Sequence, residues 1–124
     1  MADFPAAFAT LKQVLAKHAK HLSVQRDGPN GYAVVTKSAS PFPQHKGQPM
    51  FFGAVRVGKA YVSFHLVPIY MNPALHGTIS PELRKRMQGK ACFNFKDDPP
   101  PAVLRELQRL TQAALDDWRD RKWL

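Results

Sequence analysis

The chain has 124 residues, 44% of them hydrophobic, and a formal net charge of +9 at pH 7. That length and composition predict one globular domain, over residues 1–124, and exclude a wholly disordered protein. The single cysteine, Cys92, excludes an internal disulfide, and no apolar run reaches the ~20 residues that a membrane-spanning helix needs. We therefore expect an intracellular, cytoplasmic protein without a membrane partner.

The excess positive charge belongs to the first three quarters of the chain. Between Phe4 and Phe95 there are 12 lysines and arginines against two acidic residues, Asp27 and Glu82. From Lys96 onward six basic residues meet six acidic ones. Because an excess of charge of one sign attracts partners of the opposite sign, this distribution favours an anionic partner, such as nucleic acid, over a cationic one.

The first predicted element is a helix near the amino terminus. Asp3 is placed to cap it, and Pro5 is tolerated in its first turn. One face is apolar at helical spacing and consists of Phe4, Phe8, Leu11, Leu15 and Leu22. Basic residues within 17–21 follow, where positive charge is favourable at the carboxyl end of a helix.

A turn at residues 27–31 separates two predicted strands. Residues 32–36 form the strand after the turn, and residues 23–26 are its hairpin partner before the turn. Residues 38–49 are rich in Ser, Pro and Gly and are expected to form a loop.

A second hairpin is predicted around Gly58 and Lys59. Its strands are residues 50–57 and 60–67, which alternate apolar and polar side chains. In the second strand His65 faces opposite to its two apolar neighbours. Prolines and an asparagine interrupt the chain after this hairpin and leave residues 69–71 as a short extended piece.

The last third of the chain predicts a short helix, a strand and a long helix. Ser80 and Pro81 are a typical helix start, and Gly89 is placed to end a helix over residues 81–88. Residues 91–95 form the last strand. The final helix has an apolar side consisting of Leu104, Leu107, Leu110, Ala114, Leu115 and Trp118.

This element order predicts an α+β fold. We expect an antiparallel sheet of about five strands, because hairpin connections predominate. The amino- and carboxyl-terminal helices pack on one face of that sheet, and the short helix is inserted before the last strand.

No catalytic or metal-binding signature stands out in the chain. The spacing of His45, His65 and His76 matches no zinc pattern, and Cys92 has no second cysteine to form a CxxC pair. Phosphate-binding loops, dinucleotide fingerprints and hydrolase elbows are missing from the sequence. We therefore expect no catalytic residue, no metal and no cofactor, and a binding module rather than an enzyme.

One segment partly matches an RNA-binding pattern. Residues 60–64 fit the second half of the strand motif of RNA-recognition domains, with Lys59 just before them. The first half of the motif does not fit, and no helix separates this strand from its predecessor. We therefore interpret its alternating aromatic residues as facing a helix-covered core.

Two segments resemble a known family. Residues 50–66 (MFFGAVRVGKAYVSFHL) resemble the central hairpin of the DUF1801 (YdhG-like) proteins, and residues 79–95 (ISPELRKRMQGKACFNF) resemble their short helix, glycine and following strand. The resemblance implies a frataxin-like fold, with two helices on one face of an antiparallel sheet. It implies no activity, because most of that family has no assigned function.

Three functional hypotheses follow. The first is a non-enzymatic binding domain, monomer or homodimer, for an anionic partner. Its candidate binding residues are Arg56, Lys59, His65, Tyr70, Arg84 and Lys90. The second, implied by the likeness to frataxin, is an iron carrier, although the first helix offers only Asp3 as a carboxylate. The third is a small-molecule binder or enzyme with a pocket between residues 38–49 and 69–78.

Overall fold

A computed structural model describes residues 3–89 and 91–124. The strands are β1 (Ser23–Gly28), β2 (Gly31–Ala39), β3 (Pro49–Val57), β4 (Val62–Leu66) and β5 (Cys92–Phe95). The α-helices are α1 (Phe4–Ala16), α2 (Val67–Met71), α3 (Pro73–Gly77), α4 (Pro81–Arg84) and α5 (Pro101–Asp120). Short 3-10 turns at Ala19–His21 and Pro43–His45 complete the regular structure of these residues.

The strands form one antiparallel sheet in chain order. β1 and β2 form the hairpin predicted at the 27–31 turn, and β3 and β4 form the second hairpin, in which Val57 lies opposite Val62. β4 pairs with β5 after the three short helices, so that Val62 lies opposite Phe95. The predicted α+β class with an antiparallel sheet is therefore confirmed.

One face of the sheet builds the core. Alternation along the strands puts Val55, Phe64 and Phe93 in one row across β3, β4 and β5, and all three side chains are buried. α1 contacts β3 and β4. We call this side of the sheet the covered face.

α1 comes closest to the sheet at Gly53. A Cβ atom at this position would lie 3.1 Å from Cδ2 of Leu15 and 2.9 Å from the carbonyl oxygen of His65. The glycine is required by this approach rather than by an unusual backbone conformation. At the start of the helix the Asp3 carboxylate accepts a hydrogen bond of 3.1 Å from the Ala6 N–H, so the predicted cap is confirmed.

α5 closes the core. It packs against α1 and the short helices, and its Trp118 ring meets the Phe52 ring at a centroid distance of 5.3 Å. Phe52 lies at an irregularity in β3, where the pairing passes from Val34 opposite Gly53 to Val35 opposite Phe51. The predicted apolar side of this helix is buried except at Leu104, which is half-buried.

The prediction for residues 69–71 is wrong. They are not extended but belong to α2, in which Pro68 occupies the first turn and Ile69 is buried. A proline in the first helical turn removes no hydrogen bond, because the N–H groups there have no partner within the helix. The strand predicted over 60–67 is shorter at both ends, since residues 60 and 61 lie in the turn before β4 and Val67 begins the helix.

The short helix predicted over 81–88 is also wrong in its extent, because α4 ends at Arg84. The following residues pair with β5 instead: the N–H of Gln88 donates to the carbonyl of Cys92, and the N–H of Asn94 donates to the carbonyl of Arg86. Tertiary pairing therefore prevails over helix propensity here. Gly89 has a left-handed φ of +78°, but it does not end the helix as predicted, because α4 already ends at Arg84.

Two other predicted element boundaries differ from those in the structure. α1 ends at Ala16, before Leu22, which remains buried after an intervening 3-10 turn. The predicted loop over 38–49 loses its ends to β2 and β3 and contains the second 3-10 turn.

Candidate anion-binding face

On the other side of the sheet Ala33 and Val35 are buried, but none of its described side chains belongs to the main hydrophobic cluster, and we call it the open face. Its central row, read in register, is Arg26, Ala33, Ala54, His65 and Cys92. The next row is Gly31, Arg56, Ser63 and Asn94. By alternation Tyr61 and Lys96 continue the open face at this end. At the other end Val35 continues it by alternation, and Phe51 lies opposite Val35 because the irregularity at Phe52 shifts the alternation of β3.

Polar side chains form a short network on β4 and β5. Sγ of Cys92 lies 3.5 Å from Nε2 of His65 and 3.7 Å from Oδ1 of Asn94. The Ser63 hydroxyl donates to the same Asn94 oxygen at 3.2 Å, and the Asn94 amide donates to Gln88 at 2.8 Å. The network joins the sheet to the segment that follows α4.

This network is electrically neutral at neutral pH. Partial burial lowers the pKa of His65, and the nearby Arg56 guanidinium lowers it further. Burial raises the pKa of Cys92, against the opposing effects of the Ser63 hydroxyl and Arg56. A neutral imidazole beside a protonated thiol is not an activated nucleophile, because nucleophilic attack requires the thiolate.

The charge of the open face is positive. Arg26, Arg56 and Lys96 lie on it by register, whereas Asp27 is the only carboxylate in the five described strands. Asp27 belongs to the covered side, where it accepts a 2.8 Å hydrogen bond from Lys12 of α1. The sheet portion of the open face therefore carries no anion of its own.

A groove of about 730 Å³ continues the open face beyond β5. Tyr61, Asn94 and Lys96 form its floor, and the Nζ atom of Lys96 lies 5.5 Å from the centre of the Tyr61 ring. The wall beyond them is formed by Lys85, Arg86, Met87 and Gln88. Asp97, Asp98 and Pro100 line one end.

The groove carries charges of both signs. Lys85, Arg86 and Lys96 line it together with Asp97 and Asp98, and Asp97 accepts a 3.0 Å hydrogen bond from the backbone N–H of Asp3. Arg86 lies over the Phe95 ring, with its guanidinium carbon 4.9 Å from the ring centre. Lys85 makes only a long, exposed contact of 3.7 Å with Glu82, which is worth little in water.

The candidate residues from the sequence are not all brought together. Arg56 and His65 lie side by side on the open face, and Lys59 lies in the turn between β3 and β4. Arg84 is exposed, and its guanidinium is already engaged, because it donates to the carbonyls of Ile79 and His76 at 3.0 Å. Lys90 lies outside the described residues.

Tyr70 lies at the end of the open face opposite to the groove, and it lines two smaller cavities. One, of about 340 Å³, lies between the 3-10 turn after β2 and the helix α2. It is lined by Phe42, Gln44, His45, Met50, Phe51, Val67, Tyr70 and Met71. The other, of about 260 Å³, is lined by Tyr70 and His76 among others. The larger cavity lies between the two segments, 38–49 and 69–78, for which the sequence suggested a pocket.

Four residues of the open face that carry polar or charged groups were missed by reasoning from the sequence: Arg26, Ser63, Asn94 and Lys96. Ser63 lies opposite Arg56 within the β3–β4 hairpin, whereas Asn94 and Lys96 join this face only through the pairing of β4 with β5. The alternation of side chains along each strand was the signal that could have shown which residues share a face. It could not be used for β5 without knowing that β5 lies next to β4.

Two further kinds of feature are absent among the described residues. No three His, Cys, Asp or Glu side chains of residues 3–89 and 91–124 are placed to share a metal ion. None of the helices in this part of the chain combines the length and apolar character needed to cross a membrane.

Comparison with known proteins identifies no relative. No protein-family model matches the chain, and no curated protein and no solved structure is significantly similar to it. The resemblance to the DUF1801 family therefore stays a prediction that rests on the two segments quoted above.

Proposed function

We propose that the protein is a non-enzymatic binding domain whose open face takes a polyanionic partner. One observation carries the proposal: the sheet portion of the open face holds cations without any carboxylate, and it runs into a groove in which Lys85, Arg86 and Lys96 outnumber Asp97 and Asp98. A surface of one sign attracts an extended anion by long-range steering and by release of its counterions.

The chemistry of the face favours binding over catalysis. His65 and Cys92 are the only adjacent imidazole and thiol on the described part of the face, and both are held in their uncharged forms. The iron-carrier hypothesis gains no support from the described carboxylates. Asp3 caps α1, and Asp27 is paired with Lys12.

A salt titration tests the proposal. Fluorescence anisotropy would follow the binding of labelled heparin fragments, duplex DNA and single-stranded DNA as salt is raised from low to physiological concentration. We expect at least one of these probes to bind, with affinity falling steeply as salt is added. No binding of any probe at low ionic strength would contradict the proposal.

Matched variants locate the surface. Arg56→Gln and Lys96→Gln each remove one charge from the open face, and each should weaken binding and reduce the salt slope by about 0.7 to 0.9. Arg105→Gln removes the same charge from an exposed position on α5 and should change neither quantity. An equal effect of all three substitutions would mean that net charge, not this face, governs binding.

A second candidate function, a small-molecule binder, is favoured by the 340 Å³ cavity. Its volume lies in the range of ligand pockets, and its lining is mostly apolar with a few polar groups. A thermal-shift screen against a metabolite library tests it, because a ligand that binds only the folded protein raises its melting temperature. A Met71→Trp substitution, which fills the cavity, should abolish any such shift.

A further inference from the structure

Exposed apolar side chains are concentrated at the two ends of the open face. The large hydrophobic side chains that are exposed in the described residues are Val24, Phe51, Tyr61, Tyr70 and Met71. Phe51, Tyr70 and Met71 line the 340 Å³ cavity, and Tyr61 lines the groove at the other end. Only Val24 lies away from both. Water-facing aromatic rings beside a cationic surface are typical of a binding site.

The cavity is suited to a flat aromatic group. The rings of Phe42, Phe51 and Tyr70 and the thioethers of Met50 and Met71 form most of its lining. Aromatic rings pack favourably edge to face, and sulfur packs favourably at the ring edge.

One polar group at this cavity is held in a fixed orientation. Nδ1 of His45 lies 2.6 Å from the Ser40 hydroxyl, and the imidazole packs edge-on against the Phe42 ring at 5.6 Å. The second ring nitrogen and the nearby Gln44 side chain supply hydrogen-bonding groups beside the apolar lining. A heteroaromatic ring with polar edges fits this combination better than a purely aliphatic group does.

The cavity and the cations belong to one surface. Phe51 lines the cavity and also lies on the open face, opposite Val35. Along β3 it precedes Arg56 by five residues, or about 15 Å. An extended chain with both anionic and aromatic groups can therefore reach both features.

We propose that this partner is single-stranded nucleic acid. Its phosphates lie along Arg56 and Lys96, one base enters the 340 Å³ cavity, and another stacks on Tyr61. This inference rests on the proposed function and specifies its partner. The preference for single strands follows because a base paired in a duplex presents no free face to the cavity or to Tyr61.

Three oligonucleotide probes of equal length test the inference. They are a short single-stranded DNA, the same strand in a duplex, and an abasic strand with the same number of phosphates. We expect the abasic strand and the duplex to bind about tenfold more weakly than the intact strand, because each stacked base contributes to affinity. Equal binding of intact and abasic strands would overturn the inference and leave the proposed function standing.

Substitution of the two aromatic side chains, Phe51 and Tyr61, provides a second test of the inference. Phe51→Ala and Tyr61→Ala should each weaken binding of the intact strand about fivefold to tenfold and leave the abasic strand and the salt slope unchanged. Val24→Ala, which removes an exposed apolar side chain from β1, is the matched control and should change nothing. Thermal melting shows that each variant is folded before it is compared.

The remaining outcomes are decisive as well. If the duplex binds as tightly as the intact single strand, the face recognises charge alone and the inference fails while the proposed function survives. If no polyanion binds, both fail. If Phe51→Ala weakens the abasic strand as much as the intact one, the base does not enter the cavity and the inference is wrong.

Discussion

The two faces of the sheet use the same five strands for different purposes. On the covered face the side chains are large, apolar and interlocked with α1 and α5, as at Phe52 and Trp118. On the open face the central positions are small, as at Ala33 and Ala54, and polar groups surround them. Most of the stabilising burial is therefore on one side of the sheet, so substitutions on the other side should affect the fold less.

The sharpest test uses two neighbours in β3. Phe52 is fully buried on the covered face, whereas Phe51 is 39% exposed on the open face. Phe52→Ala should lower the free energy of unfolding by about 3–5 kcal/mol, because it leaves a cavity against Trp118. Phe51→Ala should cost less than about 1.5 kcal/mol, because much of its ring is already in water.

Urea denaturation measures both losses. Phe52→Leu, which keeps most of the apolar volume, should fall between them and guards against a Phe52→Ala protein that does not fold. Comparable losses for the two alanine variants would show that the open face is part of the stabilising core.

A smaller effect is expected where α1 meets the sheet. Gly53→Ala places a methyl group 2.9 Å from the His65 carbonyl oxygen and should cost about 1–3 kcal/mol through overpacking. Gly77→Ala is the control, because nothing lies within 4 Å of the position its Cβ would take. A Gly53→Ala protein as stable as the wild type would mean that the helix is not tightly fixed on the sheet.

The pH dependence of stability should reflect two histidines, His18 after α1 and His65 on the open face. His18 is buried at 7% exposure, and its pKa is lowered by burial and by the charges of Lys17 and His21. The pKa of His65 is lowered by burial and by Arg56. The unfolded chain therefore binds more protons than the folded one below about pH 6.5, and stability should fall as pH is lowered through that value.

Melting temperatures between mildly acidic and mildly alkaline pH test this expectation. His18→Gln and His65→Gln should each show a smaller loss on acidification than the wild type. An unchanged pH profile in both variants would place the acid sensitivity elsewhere.

The smallest expected effect is on the rate at which the Cys92 thiol, on the open face, is alkylated. Because burial raises the pKa of Cys92, iodoacetamide should alkylate it more slowly in the folded protein than in urea. The rate in the folded protein should rise with pH as the thiolate forms. Faster alkylation of the folded protein than of the unfolded one would indicate an activated cysteine and would contradict the non-enzymatic proposal.

Much of the fold could be predicted from local signals. Asp3 and Ser80 mark helix starts through their side-chain oxygens, and Gly58 with its neighbours marks a hairpin, because each acts within a few residues. The predictions that were wrong failed because of tertiary contacts. Residues 86–88 pair with β5 instead of continuing α4, and residues 69–71 belong to a helix whose Ile69 is buried in the core.

The candidate site was harder to predict than the fold. Arg56 and His65 could be named because both lie in one recognisable hairpin. Arg84 has the right charge, but its guanidinium binds the carbonyls of Ile79 and His76, which no pattern within its own helix indicates. Lys96 was missed because it joins the face only through strand pairing over a long sequence separation.

The pairing of residues 86–88 with β5 also restricts how copies of this chain could associate. It engages backbone groups on the outward edge of β5, whereas the outward edge of β1 has no partner strand in the described sheet. A sheet that is closed at one edge can be extended only at the other. Strand pairing between subunits would therefore join β1 to β1 about a two-fold axis and stop at a dimer, since no second edge remains to propagate a fibre.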